Sequence, residues 1–158
     1  MPEQSPLIAL VDDDPVHVAL VQLFLAEQGY RTVCCFQGSA ALDLIRQQHP
    51  DLVLLDMQME QRDTGLRVLE AIRHTATTAS LPVILCSADW LFLHEYAQQI
   101  AALHADCLEK PFALEHLTRL IQAALGAIRP HSSGDLPRDD GGNVALAKPG
   151  LGVAKELV

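Results

Sequence analysis

An α/β fold, with a parallel sheet flanked by helices, is the class this chain predicts, and three observations predict it. Residues 1–129 alternate short β-branched or apolar runs with longer segments whose apolar residues recur at helical spacing. The chain is 158 residues long and 49% apolar, which suits one ordinary domain and leaves little for a second. The composition changes at Pro130: residues 130–158 hold five of the nine Gly, three of the nine Pro and none of the seven aromatic residues. One domain over 1–129 followed by a Gly/Pro-rich tail is therefore expected.

The strands read as Leu7–Val11, Thr32–Phe36, Leu52–Leu55, Pro82–Ser87 and Ala105–Glu109. The last is more polar, with Asp106 and Glu109, as suits a sheet edge kept from pairing with other chains. Between them the spacing predicts helices over Pro15–Gln28, Ser39–Gln48, Gly65–His74 and Trp90–Leu103. A fifth follows, in which Leu114, Leu117, Leu120, Ile121, Leu125 and Ile128 form one apolar stripe facing the sheet. Asp14 before Pro15 reads as an N-cap with proline at the first helical position, and Gly29 as a helix stop. The segment His131–Asn143 lacks any apolar period and is expected to be disordered. Val144–Val158 has too few large apolar residues for a core of its own, so a spacer is the simpler reading and a docking peptide the alternative.

Charge narrows the function. Twenty Asp and Glu against eleven Lys and Arg give a net charge of −9, so nucleic acid and anionic membrane are excluded as main partners. Met1–Leu10 carries no basic residue, and no apolar run approaches the roughly 20 residues of a membrane span, so a cytoplasmic location is expected. Cys34, Cys35, Cys86 and Cys107 contain no C-x-x-C pair and sit among apolar neighbours. They read as reduced core thiols, with no zinc site and no disulfide framework.

In open parallel sheets ligands bind beyond the carboxyl ends of the strands. Here the first strand ends in Asp12-Asp13-Asp14, the third in Asp56, the fourth in Ser87-Ala88, and the fifth runs into Lys110-Pro111-Phe112. Taken singly, each has a structural reading: a cap, a strand-end hydroxyl, a solvated charge. Together they place several carboxylates at one rim, which repel unless protons or a cation offset them. A hard, oxygen-seeking Mg²⁺ resolves that conflict. Lys110 is also the only lysine before the tail, where the other seven basic residues are Arg.

These pieces resemble the receiver domains of two-component response regulators. The resemblance covers residues 7 to about 128 and rests on LIALVDDDP, DLVLLDM, LPVILCSA and LEKPF, in the family's order and near its spacing. It implies a doubly wound, five-stranded parallel sheet of order 2-1-3-4-5 with helices on both faces. It implies that Asp56 is the phosphoacceptor, taking a phosphoryl group from a sensor histidine kinase or histidine phosphotransfer protein. Asp12 and Asp13 match the acidic pair that holds Mg²⁺, with Asp56 and the backbone carbonyl of Gln58 completing the protein ligands. Ser87 matches the hydroxyl that turns toward the phosphoryl group, and Lys110 the ammonium that pairs with it. Such a protein is no enzyme toward other molecules; it catalyses its own phosphorylation and dephosphorylation. With no output domain in the sequence, the signal would pass through the receiver surface to a downstream protein that the sequence does not name.

Several features depart from the family pattern. Met59 is followed by Glu60 where the family usually has Met-Pro, and Gly65 lies one residue further from Asp56 than usual. Three residues before the lysine, where an aromatic is common, stands Cys107. Gln58 and Asp89, two beyond Asp56 and Ser87, occupy positions that in the family influence phosphoryl lifetime.

Other readings fit less well. The triple aspartate would repel a flavin phosphate, and a haloacid-dehalogenase-type phosphatase needs a second Asp where Gln58 stands. No glycine-rich nucleotide loop exists. The seven histidines are scattered over separate elements, unlike a phosphotransfer bundle. The remaining alternative is a degenerate receiver acting as a phosphorylation-independent interaction module.

Overall fold

The computed structural model describes residues 4–127. The expected tail over 130–158 and the last residue of the apolar stripe, Ile128, lie outside the described residues. Five parallel strands form one sheet in the order β2-β1-β3-β4-β5: β1 Leu7–Val11, β2 Arg31–Cys35, β3 Leu52–Asp56, β4 Val83–Ser87 and β5 Asp106–Glu109. Six helices connect or flank them: α1 Pro15–Glu27, α2 Gly38–Gln48, α3 Thr64–His74, α4 Trp90–Glu95, α5 Ala97–Ala102 and α6 Leu114–Gly126.

Period-2 alternation divides the strand residues between two cores. Ala9, Val11, Val53, Leu55, Val83 and Leu85 face α2 and α3, together with Phe92 of α4 and Ile100 of α5. Ile8, Leu10, Leu52, Leu54, Ile84 and Leu108 face Val18, Val21 and Leu25 of α1 and Leu117 and Ile121 of α6. Strands β1, β3 and β4 are thus covered on both faces, which is why they read as continuous apolar runs. Truncating Leu55, completely buried in the central strand, costs about 2–5 kcal/mol.

The caps fall where expected. Asp14 accepts hydrogen bonds from the amides of Val16 (2.9 Å) and His17 (3.2 Å), and Gly29 takes the left-handed φ of 84° that ends α1. Three expectations need correction. The single helix over 90–103 is two, α4 and α5, interrupted at Tyr96. Its ring stacks on Phe92 at 4.4 Å while the Tyr96 amide still bonds to the Phe92 carbonyl, so the break is one residue wide. Leu114 does not join the stripe of α6: it is exposed at the first residue of the helix, outside the cluster that Leu117 and Ile121 enter. Cys107 is no core thiol but an exposed residue of the edge strand β5, whereas Cys35 and Cys86 are buried. Among the described residues no helix is long and apolar enough to cross a membrane.

Candidate functional site

Strand order reverses between β1 and β3, and the residues that leave the two strands there meet at one rim. Val11 pairs with Leu55 in register, so Asp12 and Asp56 follow side by side. Asp56 pairs with Cys86 on its other flank, and Ser87 pairs with Glu109, which brings Lys110 to the same place. Carboxylate oxygens of Asp12, Asp13 and Asp56 all lie within 4.8 Å of one another. Lys110 Nζ donates to Asp12 Oδ2 at 2.9 Å and reaches Asp56 Oδ1 at 3.3 Å. Its amide bonds to the Ser87 carbonyl at 2.8 Å, and the Lys110–Pro111 peptide is cis.

Each charge answers to its surroundings. Burial pushes the Asp56 carboxyl up to about 6; Lys110 opposes the rise, while the neighbouring Asp12 and Asp13 reinforce it. Burial also acts to raise Asp12, yet Lys110, the Asp14 amide and His17 outweigh it and hold this carboxyl below its usual range. For Lys110, burial is overcome by the hydrogen bond to Asp12 and by the charges of Asp56 and Asp12, so the ammonium is held above its usual range. Three carboxylates against one ammonium leave an excess of negative charge at a half-sheltered rim. An all-oxygen donor set with that excess, its carboxylate oxygens all within 4.8 Å of one another, fits a divalent hard cation.

Asp12, Asp13, Asp56 and Lys110 are therefore brought together as expected. Ser87 is at the rim and fully buried, but its Oγ accepts from the Asp89 amide at 3.0 Å and has no hydrogen bond to Asp56. Gln58 follows Asp56 by two residues, and its side-chain amide donates to Asp89 Oδ2 at 3.3 Å. The Asp14 side chain caps α1 and adds no oxygen to the cluster, while its amide donates to Asp12 Oδ1 at 2.9 Å.

Some residues of the site escaped sequence reasoning. His17 Nδ1 lies 2.8 Å from Asp12 Oδ2, and its ring meets Phe112 edge-on at 5.9 Å. Its place in the first turn of the helix capped by Asp14 puts it near the rim, but Val16 in the same turn is exposed, so position alone does not single it out. Glu60, standing where the family usually has proline, accepts from the Gly38 amide at 2.8 Å and so ties the loop after β3 to the start of α2. Gly65 explains itself in space, since a Cβ there would collide with the Asp56 carbonyl and Met57 Cα. Its amide donates to the Met57 carbonyl at 2.8 Å, drawing α3 up against the end of β3. Beside the cluster, a groove of about 590 Å³ runs between α1 and the loop after β5, lined by Leu20, Leu23, Phe24, Phe112 and Leu114 with His17 and Lys110 at its inner end.

The chain matches the response regulator receiver domain family over residues 8–122. It is 35% identical over 133 residues to response regulator MprA of Mycobacterium sp. (strain KMS), covering 82% of this chain and 55% of that protein. It is also 35% identical over 124 residues to regulatory protein AtoC of Escherichia coli (strain K12), covering 75% of this chain and 25% of that one. The chain thus spans about half the length, or less, of these curated relatives. Among solved structures it resembles the receiver domain of a sensor histidine kinase from Pseudomonas aeruginosa PAO1, solved with a magnesium ion coordinated in its active site cleft. That match has a TM-score of 0.67 and 27% identity, covering 77% of this chain and 98% of that one. A second match, the N-terminal domain of a response regulator receiver protein from Methanoculleus marisnigri JR1, has a TM-score of 0.60 and 32% identity over 79% of this chain and 98% of that one. With its 2-1-3-4-5 sheet and its carboxylate rim, this chain belongs to the family of response regulator receiver domains.

Proposed function

We propose that Asp56 is a phosphoacceptor and that the chain serves phosphorelay signalling in a Mg²⁺-dependent reaction. The observation that carries this reading is the convergence of Asp12, Asp13 and Asp56 on Lys110 at the sheet's switch point. An Asp56 oxygen attacks the phosphorus of a phosphohistidine on a sensor kinase or phosphotransfer protein. The P–N bond breaks, its electron pair stays on the imidazole nitrogen, which takes up a proton, and an acyl phosphate remains on Asp56. Lys110 then exchanges its contact with the Asp56 carboxylate for one with a phosphoryl oxygen. Asp13, the most exposed of the three aspartates, with Asp12, Asp56 and the Gln58 carbonyl would hold Mg²⁺. That cation supplies charge neutralisation for the transferring group. Hydrolysis at the same site returns the carboxylate, so the chain catalyses only changes to itself. The groove beside Lys110 offers a landing surface for a donor protein, since it opens onto the rim. A module that works without phosphorylation has little reason to keep a buried carboxylate with a raised pKa beside a lysine.

Incubation with Mg²⁺ and acetyl phosphate, read by intact mass, tests the reading. One added phosphoryl group on the wild type and none on Asp56→Asn is the expected result. Equal labelling of both, or none of either, overturns it.

A further inference from the structure

The loop after β3 grips the loop after β4. Arg62 donates to Asp89 Oδ2 through Nε at 3.2 Å and Nη2 at 2.7 Å, and Gln58 Nε2 donates to the same oxygen at 3.3 Å. The other carboxylate oxygen, Oδ1, caps α4 by accepting from the Phe92 amide at 3.0 Å. The Arg62 guanidinium also lies 4.7 Å from the centre of the buried Phe92 ring. Asp89 is thereby fixed through both oxygens, and its own amide is the group that donates to Ser87 Oγ at 3.0 Å.

We propose that Arg62 is a positioning residue: by clamping Asp89 it keeps the Ser87 hydroxyl on the Asp89 amide, and so sets how readily the phosphoryl-bound state forms. The inference rests on the functional reading above, because it concerns the hydroxyl beside the phosphoryl group.

A serine hydroxyl has one hydrogen to donate, and a phosphoryl group on Asp56 supplies new acceptor oxygens at the same rim. Accepting from the Asp89 amide leaves that hydrogen free but fixes where Oγ stands, out of hydrogen-bond contact with Asp56. Turning the hydroxyl toward the phosphoryl oxygens moves Oγ off the Asp89 amide, which then loses its acceptor at a sheltered position. Asp89 could follow by shifting its backbone, but the fork of Arg62 and the Phe92 cap oppose any such shift. The two arrangements of the loop therefore differ by the contacts Arg62 makes in one of them. A partly exposed ion pair and one cation–π contact together bias a two-state equilibrium by about fivefold. Lysine could keep the charge but not the fork or the flat stacking on Phe92.

Beryllofluoride with Mg²⁺, titrated into the full chain and read by fluorine NMR of the bound fluoride, measures that bias. Arg62→Gln should lower the half-saturating concentration about fivefold, Asp89→Asn should move it the same way, and Arg62→Lys should fall between wild type and Arg62→Gln. In Ser87→Ala there is no hydroxyl to hold, so adding Arg62→Gln should change nothing. An unchanged half-saturation in Arg62→Gln and Asp89→Asn, or a shift that survives in Ser87→Ala, overturns the clamp while leaving Asp56 as phosphoacceptor. A wild type that binds no beryllofluoride and takes no phosphoryl group overturns both.

Discussion

Two cations sit at opposite ends of the sheet, and their surroundings divide structural work from chemical work. At the amino ends of β4 and β5, Arg73 donates to four backbone carbonyls: Leu103 (2.6 Å), Ala79 (3.2 Å), Leu81 (2.6 Å) and His104 (3.1 Å). At the carboxyl ends, Lys110 faces two carboxylates and a third stands near. Burial lowers the pKa of Arg73, since neutral carbonyls satisfy its hydrogens without balancing its charge. Lys110 is instead held above its usual range by Asp12 and Asp56. A planar fork aimed at fixed carbonyls is a clasp. A point charge among mutually repelling carboxylates is a site waiting for another charge.

Exchanging the roles of the two ends gives the largest expected effects. Arg73→Ala leaves carbonyls of two loops without a partner and should cost about 3 kcal/mol of stability, measured by denaturant unfolding, while the folded fraction labels at Asp56 at the wild-type rate. Lys110→Ala should do the reverse: phosphorylation by acetyl phosphate slows about a hundredfold, with a stability change smaller than that of Arg73→Ala. Comparable stability losses in both variants would erase the division.

A second effect concerns the repulsion itself. Because the folded pKa of Asp56 is raised to about 6, this group adds stability that is fully present below its unfolded pKa, near 4, and is lost as pH rises through 6. Asp56→Asn removes that loss. Without divalent cations it should be more stable than wild type by about 2 kcal/mol at pH 8 and equal to it at pH 4, and Mg²⁺ should close the gap at pH 8 by stabilising only the wild type. Equal melting curves at pH 8 in chelator would show that Lys110 already balances the site.

The same contrast explains what was legible in the sequence. Asp12, Asp13 and Asp56 stand where an apolar run stops at a charged residue and could be read from position, whereas Lys110, after the polar strand β5, was marked by being the only lysine before the tail. The first four expected strands, read from β-branched or apolar runs, agree to within one residue with β1 to β4. The clasp was not legible, because Arg73 acts on backbone carbonyls six to 31 residues away, which no side-chain pattern marks. Arg62 and Glu60 were hidden for a similar reason: both lie in the loop after β3, and their partners belong to other loops and helix starts. The interruption at Tyr96 was invisible because helical spacing continues across it and only the ring stack on Phe92 distinguishes the residue.

The smallest effect tests whether the clasp end was built for stability throughout. Three segments that follow helices there turn through the left-handed region, at Gly29 (φ 84°), His49 (φ 48°) and His104 (φ 51°). Glycine adopts that conformation without steric cost, whereas a residue with a Cβ is strained in it. Gly29→Ala should therefore destabilise by about 1 kcal/mol even though nothing lies within 4 Å of the added Cβ. His104→Gly should stabilise by about 0.5 kcal/mol, since the relief of strain slightly exceeds the entropy that glycine adds to the unfolded chain. The Arg73 bond to the His104 carbonyl is made by the backbone and survives the change. If His104→Gly destabilises instead, its side chain contributes to the clasp end, and the comparison must count two residues there in place of one.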